Sequence, residues 1–350
     1  MRRIAIINQK GGVGKTTTTA NLGAALARAG SRVLLIDLDP QGHLSLHFGA
    51  ELGDEQTSIY DVLTSGTPIR DATLPVADKL SLVPADIDLA GAEAELVSVT
   101  GREVLLREAV DVVASEHDFV LIDCPPSLGV LTVNALVAST EVLIPLQAQF
   151  FALQGLSKLL NTVTLVRQRI NPQLVVTGVA LCMHEPYTRL ASEVVEDLKG
   201  FLSAARETPV AWSQARLFDT FIRRNIRLAE ASSFGQTVFD YAPKSNGAAD
   251  YAQLAIEVFG EAARFERCEA EGGGNGAVHS GPAARDHAAE VQREPKVRAG
   301  QPMTSTGQVE RLGASEFQTD VPPGPAAARF ASLGLPGSPR AVAGSWPPFP

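Results

Sequence analysis

Nowhere in its 350 residues does this sequence stay apolar for eighteen positions. A bilayer-spanning helix needs about 20 such residues, so no membrane-spanning helix is expected. The chain enters an apolar strand at Ile4–Ile7 almost at once, and no signal peptide is expected. Cysteine is scarce. Cys124, Cys182 and Cys268 form no Cys-x-x-Cys pair and no His/Cys ligand spacing. That excludes a clustered iron–sulfur centre, and free thiols fit a reducing cytoplasm. Positive charge is also short: 30 Lys and Arg against 39 Asp and Glu leave a net charge of −9. A generally basic nucleic-acid binder is therefore excluded. Any DNA contact has to come from a local patch that overcomes repulsion from the remaining surface.

What the chain does have is a hydrophobic content of 45%, enough for a real core. It also has one dense motif. Residues 10–17 read Lys-Gly-Gly-Val-Gly-Lys-Thr-Thr, between the strand at Ile4–Ile7 and a helix opening at Lys15. Gly11, Gly12 and Gly14 permit backbone angles that turn successive N–H groups inward. Those groups, with Val13 and Thr17 in the same loop and the positive end of the helix, form a phosphate cradle. Lys15 is placed to reach the β and γ oxygens, and the Thr16 hydroxyl to ligate Mg²⁺. The loop is a shortened variant of the usual P-loop, with an additional lysine, Lys10, at its entrance.

Two further apolar strands end in carboxylates. Val33–Asp37 runs into Leu38-Asp39-Pro40-Gln41-Gly42-His43, and Phe119–Asp123 into Cys124-Pro125-Pro126-Ser127-Leu128-Gly129. A buried strand ending in Asp delivers a carboxylate to the water shell of Mg²⁺ at the sheet edge. Asp123 is expected to do so through water, and Asp37 is a further candidate for the metal or for supporting the loop. Hydrolysis of a bound nucleoside triphosphate needs a water oriented in line with the γ-phosphate, and Asp39, in the loop after a strand, is a candidate for that task on the family resemblance that follows. Pro125-Pro126 stiffen a segment suited to sensing the γ-phosphate.

With these segments, Glu141–Gln147, Phe151–Leu156, Asn225–Glu230 and Ser233–Gly235 occur in order. Together they resemble the ParA/MinD class of deviant Walker A ATPases, and the Soj-like partition ATPases in particular, over about residues 3–262. The resemblance implies that ATP and Mg²⁺ are bound, and that Lys10 crosses a two-fold interface to the partner's nucleotide in an ATP-sandwich homodimer. It makes Lys10, Lys15 and Asp39 the catalytic set. It also implies non-specific DNA binding through arginines at the positions of Arg189 and Arg227. Arg224 is a further candidate and Lys244 a weaker one. The expected function is partition of a chromosome or plasmid, with hydrolysis stimulated by a ParB-like centromere-binding protein or another cargo adaptor. The expected location is cytoplasmic and nucleoid-associated.

The alternatives are a ParA-like ATPase positioning a non-DNA cargo and a MinD-like membrane-associated switch. The second needs a basic amphipathic C-terminal helix, whereas the last helical pattern carries Glu257 and Glu261. A tyrosine kinase of this superfamily needs a tyrosine-rich tail, and no tyrosine follows Tyr251. The chain departs from the family where Ile-Pro-Arg-Asn becomes Ile222-Arg223-Arg224-Asn225. Arg223 there adds positive charge near the expected adenine pocket. Ser232 replaces a further proline.

Strand and helix signals alternate. Strands are expected at 3–8, 33–37, 119–123, 142–145 and 174–181. Helices are expected at 15–29, closed by Gly30, and at 58–65, 102–116, 152–169, 188–203 and 248–265. This pattern predicts an α/β fold of the P-loop NTPase type: a mostly parallel twisted sheet with helices on both faces. Residues 1–266 form the expected ATPase domain. Residues 267–350 hold 11 of 22 prolines and 12 of 30 glycines, and read as a disordered tail. Its end, Trp346-Pro-Pro-Phe-Pro350, is a candidate polyproline docking peptide.

Overall fold

The computed structural model describes residues 1–50, 52–53, 56–149, 151–185 and 188–265. The tail expected over 267–350, including Trp346–Pro350, lies outside the described residues. β1 (Arg2–Ile6) leads through the P-loop into α1 (Lys15–Arg28) and β2 (Val33–Asp37). α2 (His43–His47) and α3 (Ile59–Thr64) precede a hairpin of β3 (Leu74–Ala77) and β4 (Leu80–Val83). Next come α4 (Leu89–Leu96), α5 (Leu105–Val112), β5 (Phe119–Asp123), α6 (Val130–Ala138), β6 (Glu141–Leu146), α7 (Ala152–Arg169) and β7 (Val175–His184). The chain continues through α8 (Arg189–Ala204), two short strands, β8 (Arg216–Leu217) and β9 (Ile222–Arg223), and then α9 (Ile226–Ser233), α10 (Val238–Tyr241) and α11 (Asn246–Phe259).

Among the described residues the strands run in the order β3-β4-β2-β5-β1-β6-β7-β8, with β9 also paired to β7. Every pairing is parallel except β3 with β4. The central strands are apolar without alternation because both faces are covered. Ile4, Ile6, Val33 and Leu35 face a layer built from α1 and α11, including Leu22, Leu26 and Leu254. Ala5, Leu34, Ile36 and Val120 face the opposite layer, with Leu106, Leu131, Leu159 and Leu198.

This topology positions the site. β1, β2 and β5 are adjacent and parallel, so their C-terminal ends meet at one edge. Ile6 and Asp37 both register with Asp123. The P-loop leaves that same edge.

Several expected boundaries shift. The first strand ends at Ile6, although the Ile7 N–H still reaches the Leu143 carbonyl at 3.1 Å. The helix expected at 102–116 is regular only over Leu105–Val112, because tight turns at Val113 and Ala114 close it before β5. The last helix opens earlier, where Ser245 accepts from the Ala248 N–H. It ends at Phe259, because Gly260 turns the backbone to a φ of 66°. Gly30 closes α1 as expected, with φ 96° and its N–H on the Ala27 carbonyl at 2.9 Å.

Candidate nucleotide site

The P-loop is cut to shape by its glycines. Gly14 precedes α1 with φ 92°, a left-handed conformation that residues with a Cβ resist. It also backs onto β7: an added Cβ would lie 3.6 Å from Cys182 Cβ. Lys15 opens α1 and is buried. The loop, Lys15, Thr16, Thr17, Asp39 and Pro126 line one cleft of about 920 Å³. Residues from the far side of the fold complete it: His47 of α2, Cys182 and Met183 of β7, Arg223 to Ile226, and Tyr251 of α11.

Asp123 is fully buried at the end of β5. Its Oδ1 accepts from Thr19 Oγ1 at 3.4 Å, while its Oδ2 is buried with no hydrogen-bond partner among the described residues. Burial pushes its pKa well up, and the nearby Asp37 carboxylate adds to the rise; Thr16 and Lys15 oppose it. A buried carboxylate oxygen without a partner is costly unless a cation or its water shell satisfies it. The donor set of Thr16 hydroxyl and Asp123 carboxylate suits a hard, oxygen-seeking cation such as Mg²⁺.

Asp37 takes another position. Its carboxylate accepts from the Ser45 N–H at 2.8 Å, the Ser45 hydroxyl at 2.7 Å and the Asp39 N–H at 3.2 Å. Ser45 Oγ in turn accepts from the Ala85 N–H at 3.0 Å. Of the two roles expected for Asp37, this geometry is that of loop support. Burial raises its pKa to about 6, with the Ser45 hydrogen bonds pulling the other way. The loop held in this way carries Asp39, whose Oδ1 accepts from the Gln41 N–H at 3.0 Å. Asp39 thus stands over the P-loop on a turn anchored to β2.

Lys10 lies outside this cleft. Its ammonium donates to Gln149 Oε1, just beyond β6, beside a smaller cavity lined by Asn8, Phe151 and Lys158. The arginines expected to meet DNA are exposed, and each has a carboxylate partner. Arg189 pairs with Glu193 at 3.3 Å, Arg224 with Glu185 at 3.1 Å and Arg227 with Glu230 at 2.7 Å. Exposed pairs of this kind are worth about 0–1 kcal/mol, so a phosphate can displace the carboxylate at little cost.

Arg223 corrects an expectation. Its charge does not stand alone near the cleft, because Asp250 of α11, 7% exposed, accepts from its Nη2 at 2.5 Å and its Nε at 3.0 Å. The pair adds no net charge. Sequence reasoning also missed Cys182, Met183 and Tyr251 as cleft residues. Met183 adopts a positive φ of 50°, which nothing in its residue type announces.

A family model described as AAA domain matches residues 1–176. The sporulation initiation inhibitor protein Soj of Bacillus subtilis is 46% identical over 256 residues, spanning 73% of this chain and 97% of that protein. The chromosome partitioning protein ParA of Caulobacter vibrioides is 44% identical over 261 residues, 74% of this chain and 94% of its own length. This chain belongs to the ParA/Soj family of partition ATPases. The ParA-like fold is shared by a Mycobacterium smegmatis structure named cobyrinic acid a,c-diamide synthase, solved with bound ADP and magnesium. It has 37% identity and a TM-score of 0.61, covering 73% of this chain and 93% of that one. McdA of Cyanothece, at 22% identity and a TM-score of 0.62, covers 73% of this chain and 99% of its own, and matches in fold alone. Among the described residues of this ParA-family chain, no helix is long and apolar enough to cross a membrane.

Proposed function

We propose that the chain is a Mg²⁺-dependent ATPase that closes as an ATP-sandwich dimer, binds DNA without sequence preference, and drives chromosome or plasmid partition. The observation that carries this reading is the buried carboxylate of Asp123, whose Oδ2 has no hydrogen-bond partner among the described residues, close to Thr16 and Lys15, which with Asp39 line the cleft. The P-loop N–H groups and Lys15 hold the phosphates. Thr16, and Asp123 through water, hold Mg²⁺, which when bound neutralises charge on the β- and γ-phosphates. Asp39 orients the attacking water. Lys10 leaves Gln149 and reaches the nucleotide of the second subunit, adding a cation where charge spreads during transfer. Hydrolysis, stimulated by a ParB-like partner, reopens the dimer and releases DNA. The protein works in the cytoplasm, on the nucleoid. Positioning of a non-DNA cargo uses the same core and differs only in the adaptor.

Gel filtration with ATP and Mg²⁺ tests the core of this reading. Lys15→Ala should bind no nucleotide and remain monomeric. Asp39→Ala should bind ATP and accumulate as a dimer, because the phosphate contacts survive while water orientation is lost. A monomeric Asp39→Ala protein, or one with wild-type turnover, removes Asp39 from the catalytic set.

A further inference from the structure

We propose that Glu93 of α4 is a positioning residue for hydrolysis: its carboxylate, seated against Gly129, sets the segment 124–129, whose Pro126 lines the nucleotide cleft. The inference rests on the nucleotide reading above and adds to it a residue that lies outside the cleft.

The contact comes first. Gly129 is the N-cap of α6, with φ −85° and ψ −165°. Those angles suit any residue, so the backbone does not require glycine here. The neighbour does. An added Cβ would overlap Glu93 Oε1 and lie 2.7 Å from Glu93 Cδ and 3.1 Å from Oε2. Oε1 is shut away from water with no hydrogen-bond partner among the described residues. Holding a polar oxygen in such a place is costly. The positive end of α6 offsets part of that cost, because the helix has no side-chain cap and no acidic residue in its first turn. Glu93 supplies that negative group from another element.

The path to the cleft comes second. The segment starts where the Cys124 N–H meets the Ile6 carbonyl at 3.2 Å. Two prolines of fixed φ follow, and the second of them lines the cleft. Beyond them the Thr132 hydroxyl donates to the Ser127 carbonyl at 2.6 Å, and the Val133 N–H to the Gly129 carbonyl at 3.1 Å. With both ends held, few torsions are left to absorb a displacement of Gly129 before it reaches Pro126.

The frame comes third. Leu89, Ala92 and Leu96 bury one face of α4 in the core, so Glu93 stands on a fixed helix. The same stretch of chain holds the opposite wall. The Ala85 N–H donates to Ser45 Oγ, and that hydroxyl donates to Asp37 in the loop that carries Asp39. Residues 85–96 thus tie down both Asp39, through Ser45, and Pro126, through Glu93. Loss of Glu93 frees one wall while the other keeps its place. A misplacement of about 1 Å costs up to about a hundredfold in rate. A segment that is loosened but still reaches its place should cost about tenfold.

Steady-state ATP turnover by the full chain with Mg²⁺ tests the proposal. Glu93→Ala should lower kcat about tenfold while KM for ATP stays within about twofold, because no phosphate contact is lost. Glu93→Gln keeps length and shape, and should return kcat to within about threefold of wild type. Gly129→Ala should also lower kcat about tenfold. The three atoms nearest its new Cβ all belong to Glu93, a side chain free to swing away, so the fold survives while the contact is lost. The Glu93→Ala/Gly129→Ala double variant should lose no more than either single one, whereas independent effects would multiply to about a hundredfold. Where thermal melting shows Glu93→Ala unfolded, Gly129→Ala decides. Wild-type kcat in the folded single variants, a loss carried by KM instead of kcat, or a multiplied loss in the double variant overturns the proposal and leaves nucleotide binding intact. A wild-type chain that binds no ATP overturns the nucleotide reading itself, and this one with it.

Discussion

His47 shows how one residue couples the cleft to pH. Its ring is buried beside Phe48, and Nε2 has no hydrogen-bond partner among the described residues. Burial lowers its pKa from 6.5 to about 4, against a smaller opposing pull from the Gln236 backbone. The neutral ring is the one the fold accommodates. Between pH 6.5 and 4 the unfolded chain binds a proton that the folded chain refuses. This stability is fully present above pH 6.5 and is lost as pH falls through about 4. At about 1.4 kcal/mol per pKa unit, the loss approaches about 3 kcal/mol. Urea denaturation at pH 7.5 and pH 4.5 should show the wild type losing more stability than His47→Phe, by up to that amount. Equal losses in both proteins would show that His47 is not the group responsible. At the same scale, the Asp37–Ser45–Ala85 hydrogen bonds explain why a buried carboxylate is kept in the loop before Asp39: it receives three donors that would otherwise have to be matched elsewhere.

Elements differ in how openly they declare themselves. α1 and α7 have clear caps or length, and the central strands are unbroken apolar runs ending in aspartate. The β3–β4 hairpin was not expected. Its two connecting residues are Asp78 and Lys79, and Lys79 takes a φ of 56° without the glycine that usually marks such a turn. α6, reading Val-Leu-Thr-Val-Asn-Ala-Leu-Val-Ala, is buried nearly all round and so lacks the amphipathic period that identifies a helix. β8 and β9 are two residues each, too short for any pattern. The attachment of β8 depends on Gly178 in β7, where an added Cβ would lie 2.4 Å from the Arg216 carbonyl oxygen and 2.9 Å from the Phe218 ring. The carbonyl is backbone and cannot swing aside. Gly178→Ala should cost about 1–3 kcal/mol, read as a lower urea midpoint at unchanged slope. A wild-type midpoint would mean that this edge of the sheet is looser than its geometry.

At the scale of the whole molecule, net charge sets the terms of DNA binding. On the proposed function, a subunit of charge −9 meets phosphates through the exposed Arg189, Arg224 and Arg227. Closing a dimer doubles that set of arginines. Affinity for random-sequence DNA should therefore depend on ATP and fall with salt. Four phosphate contacts give a slope of log K against log salt of about −3.6. Lys10→Ala should retain ATP binding but lose both the dimer and the DNA affinity, because its ammonium is the one placed at the loop entrance beside Gln149. Filter binding across a salt series checks both statements. Nucleotide-independent affinity, or a Lys10→Ala protein that dimerises and turns over normally, would contradict them and favour a track other than DNA.

What the sequence determined by itself was everything contiguous. The phosphate loop from Lys10 to Thr17, the two strands ending at Asp37 and Asp123, and Asp39 two residues past the first strand are short-range patterns. Backbone chemistry acts within a few residues there, and the parallel sheet follows from the run of apolar strands. What only the tertiary structure decided was long-range pairing. Arg223 meets Asp250 across 27 positions, Lys10 meets Gln149 across 139, and Thr18 meets Tyr251 across 233. No periodicity encodes which carboxylate neutralises which arginine, because such pairs form only after β7, β9 and α11 have packed. For that reason the sequence could place an extra positive charge at Arg223, while the fold turned it into half of a buried-acid clamp.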